Sequence, residues 1–171
     1  MAGSIVLLTG PVGAGKTTVA QELIAGGDGG LVSIEGDVFW SFIKRPQPGA
    51  ERNKAFTMIM RAMLASARHY ERDGYEVIVD FTIPPWYLDA VRALLTGKPF
   101  NYVVLRPSEA VCAARAAERA EGTIADYGPY RELYAAFDGY EQMTIVNDAA
   151  SPSDVAEFIR AGLAAGTFRM T

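Results

Sequence analysis

Apolar residues along the chain fall into short unbroken runs separated by longer stretches with helical spacing. Ile5-Val6-Leu7-Leu8 is uninterrupted, the pattern of a strand covered on both faces. Gly15 to Ala25 reads as a helix, closed by Gly26-Gly27-Asp28-Gly29-Gly30, and Leu31 to Ile34 as a second strand. From Asn53 to Arg72, apolar positions such as Phe56, Ile59, Met60, Met63, Leu64 and Ala67 recur at intervals of three and four, and Gly74 ends the helix they predict. Glu76 to Phe81 is a third strand, and Pro84-Pro85 opens a helix through Leu95. Tyr102 to Leu105 gives a fourth strand and Ser108 to Glu121 a helix, with Ser108 at its N-cap and Glu109 in its first turn. A polar stretch from Glu121 to Gly128 precedes a helix to about Phe137. Thr144-Ile145-Val146 supplies a fifth strand, and Ser153 to Ala164 a last helix.

Five apolar strands alternating with helices predict an α/β fold, a parallel sheet with helices on both faces. No repeat, low-complexity tract or long linker divides the 171 residues, so residues 1–171 are expected to form a single domain.

Composition adds exclusions. The formal charge of -4 argues against a surface built for nucleic acid. The opening apolar run stops at Thr9-Gly10 without a basic lead, too short for a signal peptide or membrane span, so a cytoplasmic protein with no membrane partner is expected. The one cysteine, Cys112, allows no disulfide framework within the chain and reads as a core residue, while the one histidine, His69, reads as surface. Nothing in the sequence bears on oligomeric state.

Gly10-Pro11-Val12-Gly13-Ala14-Gly15-Lys16-Thr17 matches G-x-x-x-x-G-K-[ST] at every fixed position, after a buried strand and before a helix. The glycines let successive backbone N–H groups turn inward onto phosphate oxygens, and the helix start adds the positive end of its dipole. Lys16 is expected to bridge the β- and γ-phosphates of a nucleotide, Thr17 to offer its hydroxyl to Mg²⁺, and Thr18 to bond an α-phosphate oxygen.

A cradle does not say where the phosphoryl group goes; carboxylates across the crevice do. Asp37 lies just past the second strand, at the carboxyl end where ligands bind in open α/β sheets, and can orient an acceptor hydroxyl and take its proton. Glu35 would share a strand face with Asp37 if the strand continued through Gly36. Asp80 ends Val77-Ile78-Val79 as a Walker B carboxylate does, placed to hold Mg²⁺ or contact the acceptor. Arg115 and Arg119, four apart and hence neighbours on one helix face, precede the polar stretch where a lid would supply cations to developing charge. Arg131 is a further lid candidate.

The order of the Gly10-to-Thr18 loop, Gly36-Asp37 after strand two, Asp80 after strand three, Leu105-Arg106 after strand four and Arg115/Arg119 before a short lid resembles the small P-loop kinases. The resemblance is closest to the chloramphenicol phosphotransferase-like and gluconate kinase-like group. It implies the three-layer P-loop NTPase fold with a five-stranded parallel sheet of order 2-3-1-4-5, a short lid near 115–131, and ATP as donor. It also implies Asp37 as base and Arg115 or Arg119 as the lid arginine. The chain departs from shikimate kinases in carrying Glu at position 35, and Asn147-Asp148 lacks the lysine of a guanine-binding motif.

On the acceptor side, Val38 to Pro46 holds three aromatic residues; Phe39 and Phe42 suit packing of a short helix, and Trp40 suits a pocket. Trp86, in Pro84-Pro85-Trp86-Tyr87, is placed to close that pocket from the other side. Lys44, Arg45 and Arg52 offer charge to an acidic acceptor, and Arg106 faces the same crevice. The leading expectation is an ATP-dependent kinase of a small hydroxylated metabolite or antibiotic. A kinase of polynucleotide 5′ ends and a nucleotide-sensing domain without transfer activity are the alternatives.

Overall fold

β1, Ser4–Thr9, runs through the middle of the sheet with every residue after Ser4 buried, which is why its sequence is an unbroken apolar run. The computed structural model describes residues 3–49, 51–120 and 122–171. After β1 come α1 (Lys16–Ala25), β2 (Leu31–Glu35), α2 (Gly36–Ser41), α3 (Arg52–Arg72), β3 (Glu76–Asp80), α4 (Leu88–Leu94) and β4 (Phe100–Leu105). The remainder is α5 (Glu109–Ala117), α6 (Arg131–Ala135), β5 (Thr144–Ile145), α7 (Pro152–Ala165) and β6 (Arg169–Met170). The parallel strands stand in the order β2-β3-β1-β4-β5, as the resemblance implied. Among the described residues no helix is long and apolar enough to cross a membrane.

Each face of the sheet has its own core. α3 lays Ile59, Met60, Met63, Leu64 and Ala67 against one face with α4 beside it. At roughly 1.5–3 kcal/mol per large apolar side chain, that stripe is a main anchor of the layer. α1 and α7 cover the other face through Val19, Leu23, Val155 and Ile159. Across the sheet, Asp80 is in register with Leu8 of β1 and Glu35 of β2, so the carboxyl ends of three strands finish level.

A polar brace fixes the segment after β3. Thr9 accepts a hydrogen bond from the Ile83 amide at 2.8 Å and donates its hydroxyl to the Ile83 carbonyl at 3.2 Å. The Tyr102 hydroxyl donates to the same carbonyl at 2.7 Å. Thr9 and Tyr102 are buried, and this mutual pairing satisfies their polar atoms while tying residues 81–84 to the two central strands.

Several boundaries differ from the sequence reading. β6 is an additional, antiparallel strand on the amino half of β4, where Phe100 faces Met170, while β5 takes the carboxyl half, where Leu105 faces Ile145. The chain can fold back there because Gly166, at φ 74, ends α7 in the left-handed region and Phe168 is buried next to it. The helix expected from Pro84 begins as a 3-10 turn over Pro85–Tyr87, and the one expected up to Phe137 is a 3-10 turn over Gly128–Tyr130 followed by α6. α5 ends at Ala117, four residues before the expected end; Glu121 itself lies outside the described residues. The Ile124 amide takes the Ala116 carbonyl at 3.0 Å, turning the chain away from the helix axis.

Candidate active site

Between β1 and α1 the chain makes a turn that only glycine tolerates at three points. Gly10, Gly13 and Gly15 sit at φ 144, 82 and 87. A Cβ on Gly13 would run into the Cys112 carbonyl, and one on Gly10 into the Leu105 carbonyl, so the loop is seated directly on α5 and the end of β4. Gly15 caps α1 without a side-chain hydrogen bond, and the first turn of α1 contains no acidic residue. The opening N–H groups of the helix therefore face the crevice with no internal competitor for an anion.

Lys16 folds back over this loop and donates to the carbonyls of Pro11 at 3.2 Å and Gly10 at 3.3 Å. Thr82 also donates to the Gly10 carbonyl, at 3.1 Å. Thr17 donates its hydroxyl to Asp80 Oδ2 at 2.6 Å, joining the start of α1 to the end of β3. Burial pulls the Lys16 ammonium below its ordinary range, with Asp80 and Asp37 pulling the other way and Arg119 adding to the fall. Burial likewise pushes the Asp80 carboxyl up, against the Thr17 hydrogen bond and the Lys16 charge. Both groups are charged at a cost in the free protein, and a polyanion with its cation is the kind of ligand that lifts it.

The donor set around Thr17 and Asp80 fits magnesium. A hydroxyl and a carboxylate oxygen are hard donors, and magnesium keeps water and phosphate oxygens in the rest of its shell. Among the described residues no group of three acidic, histidine or cysteine side chains forms an all-protein metal cage.

Lys16, Asp37 and Arg119 line one cavity of about 410 Å³ next to the loop. Asp37 reaches it from the first turn of α2, which starts directly after β2 at Gly36, where the Phe81 ring leaves no room for a side chain. Trp40 follows from the same helix, and Trp86 from the braced segment after β3. Of the basic residues near α2 and α3, Arg52 lines the cavity; Lys44 and Arg45 do not.

Other expected residues stand elsewhere. Glu35 ends β2 and the helix begins at Gly36, so Glu35 and Asp37 do not share a strand face; Glu35 borders a separate groove at the β2 edge. Arg115 and Arg119 do not share a helix face either, since α5 stops between them. Arg115 donates to the carbonyls of Asn147 at 3.1 Å and Asp148 at 3.4 Å, with Nη1 3.6 Å from where a Cβ on Gly15 would stand. Arg131 pairs with Glu109 at 2.7 Å, and Arg106 pairs with Asp138 and stacks over Tyr134, 4.5 Å from its centroid. Ser108 caps α5 without a side-chain bond; its amide donates to Asp148 Oδ1 at 2.6 Å. His69 is exposed and Cys112 buried, as expected.

The sequence reading missed Thr82, Asn53, Phe56 and Tyr130 as residues of the site. Phe56 carries a helical core signal that hides its second role. Tyr130 follows an unpatterned stretch. It also missed Asn147, which is buried and donates Nδ2 to the Ala14 carbonyl at 3.0 Å, bracing the phosphate loop from β5.

Comparison with known proteins agrees with this geometry. Residues 5–136 match the protein family described as an AAA domain. No curated protein matches the sequence. Among solved structures, the Deinococcus radiodurans tunicamycin resistance protein superposes with a TM-score of 0.75 at 20% identity, over 94% of this chain and 95% of that one. The Mycobacterium tuberculosis APS kinase CysC, solved with AMPPNP and APS, gives 0.67 at 17% identity, over 95% and 98%. A gluconokinase from Sinorhizobium meliloti 1021 gives 0.64 at 24% identity, over 96% and 93%. At these identities the likeness is one of fold.

Proposed function

The chain belongs to the AAA domain family, and from that premise we propose that it is a small P-loop kinase, which transfers the terminal phosphoryl group of ATP to a hydroxyl of a small molecule. The observation that carries the reading is the meeting of Lys16, Asp37 and Arg119 in the lining of one cavity, next to the Thr17–Asp80 pair. Bound ATP with magnesium would supply the phosphoryl group and a phosphorus open to attack. The residues that would hold it are the loop from Gly10 to Thr18, through its backbone amides, with Thr17 and Asp80 toward the cation.

Each side chain then has one task. Lys16 exchanges its two loop carbonyls for phosphate oxygens, a stronger charge-assisted pairing. Asp37 would hold the acceptor hydroxyl and take its proton as the new oxygen–phosphorus bond forms and the bond to the bridging oxygen breaks, releasing ADP. Arg119, from the same cavity lining, meets the charge that spreads over the moving group. Residues 115–131 act as a short lid over this arrangement.

Calorimetry with magnesium and ATP, followed by a transfer screen with labelled ATP across phenicols, sugars, sugar acids, nucleosides and aminoglycosides, tests the proposal. Label must move to an acceptor. ATP hydrolysis indifferent to every acceptor would instead favour a nucleotide-sensing domain, and no nucleotide uptake at all would end the reading.

A further inference from the structure

The acceptor half of the cavity is built unevenly. One wall is a continuous aromatic strip: Phe81 stacks on Phe56 with centroids 5.2 Å apart and planes at 17°, Phe56 meets Tyr87 at 4.8 Å, and Tyr87 meets Trp86 at 6.4 Å. The strip is buried at Phe81 and opens to solvent at Trp86, which is 60% exposed. Trp40 belongs to the same cavity, on the helix that carries Asp37. The uncharged polar side chains are Asn53, Thr82, Tyr87 and Tyr130, with the indole N–H groups of Trp40 and Trp86; Thr82 already donates to the Gly10 carbonyl, and the others except Asn53 sit at the edges of aromatic rings. Asp37 is the one acidic residue among the described lining residues, against Lys16, Arg52 and Arg119.

We infer that the acceptor is an alcohol carrying a flat ring and no positive charge, whose ring lies on the Phe81-to-Trp86 strip while its hydroxyl faces Asp37. This deepens, and rests on, the phosphotransferase reading above. A polyol or open-chain sugar acid would leave hydroxyls without partners where it lay on the aromatic strip, and each such group weakens binding. A polyamine sugar would bring cations to three basic residues and a single carboxylate. Lys16 and Arg119 face the phosphates, so Arg52 is the cation left over for the acceptor. Glu51 next to it is taken by Lys54 at 3.3 Å. An anionic substituent on the ring, distant from the reacting hydroxyl, is therefore accommodated and favoured by Arg52.

The chain has two tryptophans, and both line this cavity, so tryptophan emission reports occupancy without nucleotide or turnover. The test titrates the full-length protein with benzyl alcohol, 4-(hydroxymethyl)benzoate, gluconate and a polyamine aminoglycoside, correcting for probe absorption. The ring alcohols are expected to half-saturate at concentrations about tenfold lower than gluconate, because stacking on the aromatic strip adds to their apolar burial. The carboxylate probe is expected to bind more tightly than benzyl alcohol, and Arg52→Gln to erase that difference alone. Trp86→Ala, at an exposed position that leaves the fold intact, is expected to weaken both ring probes several-fold while Trp40 still reports. Tighter binding of gluconate or the aminoglycoside than of the ring alcohols overturns the inference, as does silence of the ring probes up to their solubility limit. Because nucleotide is absent throughout, ring binding without any phosphate transfer would remove the proposed function and leave this specificity standing. Transfer to a ringless acceptor would do the reverse.

Discussion

Thr17 donates a hydrogen bond from its hydroxyl to Asp80 Oδ2 at 2.6 Å, so the first turn of α1 and the last residue of β3 are joined without any ligand. Asp80 is 7% exposed, and burial raises its pKa. The folded state thus holds the Asp80 proton more tightly than the unfolded chain. Stability is gained below the unfolded pKa and falls as pH rises from there through the folded pKa, beyond which a constant cost remains. Asp80→Asn keeps an acceptor for Thr17 and removes the charge. Thermal melts of the free protein are expected to place this variant at or above the wild type at pH 7, and level with or below it near pH 4. The magnesium-dependent part of ATP stabilisation is expected to vanish.

Asp37 is exposed and lines the cavity, open to an acceptor. Asp37→Asn is expected to bind ATP as the wild type does and to cut phosphate transfer by about 10²-fold or more, read as kcat with little change in nucleotide affinity. Turnover near normal in that variant would take Asp37 out of the chemistry.

Arg119 and Arg115 are expected to separate. Arg119 lines the cavity, whereas Arg115 is occupied by the carbonyls of Asn147 and Asp148 beside the phosphate loop. Arg119→Ala should lower kcat by roughly 10–10²-fold with ATP affinity nearly kept, as for loss of a group that acts on developing charge. Arg115→Ala should loosen the β5 end and act first on ATP affinity and on unfolding midpoint. Calorimetry beside steady-state rates distinguishes the two, and equal effects of both variants on kcat alone would contradict the assignment.

What the sequence disclosed depended on how local the signal was. The phosphate loop is contiguous, and its glycines, lysine and threonine have fixed spacing, so its place between β1 and α1 could be read directly. The order of the parallel strands came only with the family resemblance, since apolar runs identify strands without ordering them. The Thr9–Ile83–Tyr102 brace joins residues 74 and 19 apart in sequence, and no pattern announces it. β6 is two residues long, too short to show as an apolar run, although Met170 packs against the core. The reading of Arg115 and Arg119 as one helical face failed for a similar reason: helical spacing extends only as far as the helix, and the Ala116–Ile124 bond that ends α5 is invisible in composition.

Tyr127 ties the segment after α5 to the phosphate loop by donating its hydroxyl to the Val12 carbonyl at 2.8 Å. Its ring is buried with Cys112 and Ala116. Tyr127→Phe preserves that packing and deletes only the bond, leaving the Val12 carbonyl half-buried. A loss of about 0.5–1.5 kcal/mol in denaturant unfolding is expected, together with faster proteolysis between residues 118 and 126.

Gly36 is the hinge on which the position of Asp37 depends. Its neighbour in space is Phe81, whose ring and Cβ occupy the place a side chain would need. Phe81 cannot simply step aside, since it stacks on Phe56 and follows directly on Asp80. Gly36 itself begins α2 and carries no unusual φ, so alanine is acceptable to the backbone and the conflict is purely one of volume. Gly36→Ala is therefore expected to cost about 1–3 kcal/mol, as overpacking does, and to move Asp37 together with the start of the aromatic strip. Transfer activity should fall further than ATP binding. A second change, Phe81→Leu, opens the contested space and should restore part of the stability of the Gly36→Ala protein. If Gly36→Ala alone leaves both unfolding midpoint and transfer unchanged, the close approach of α2 to Phe81 is not what sets the carboxylate against the phosphate loop.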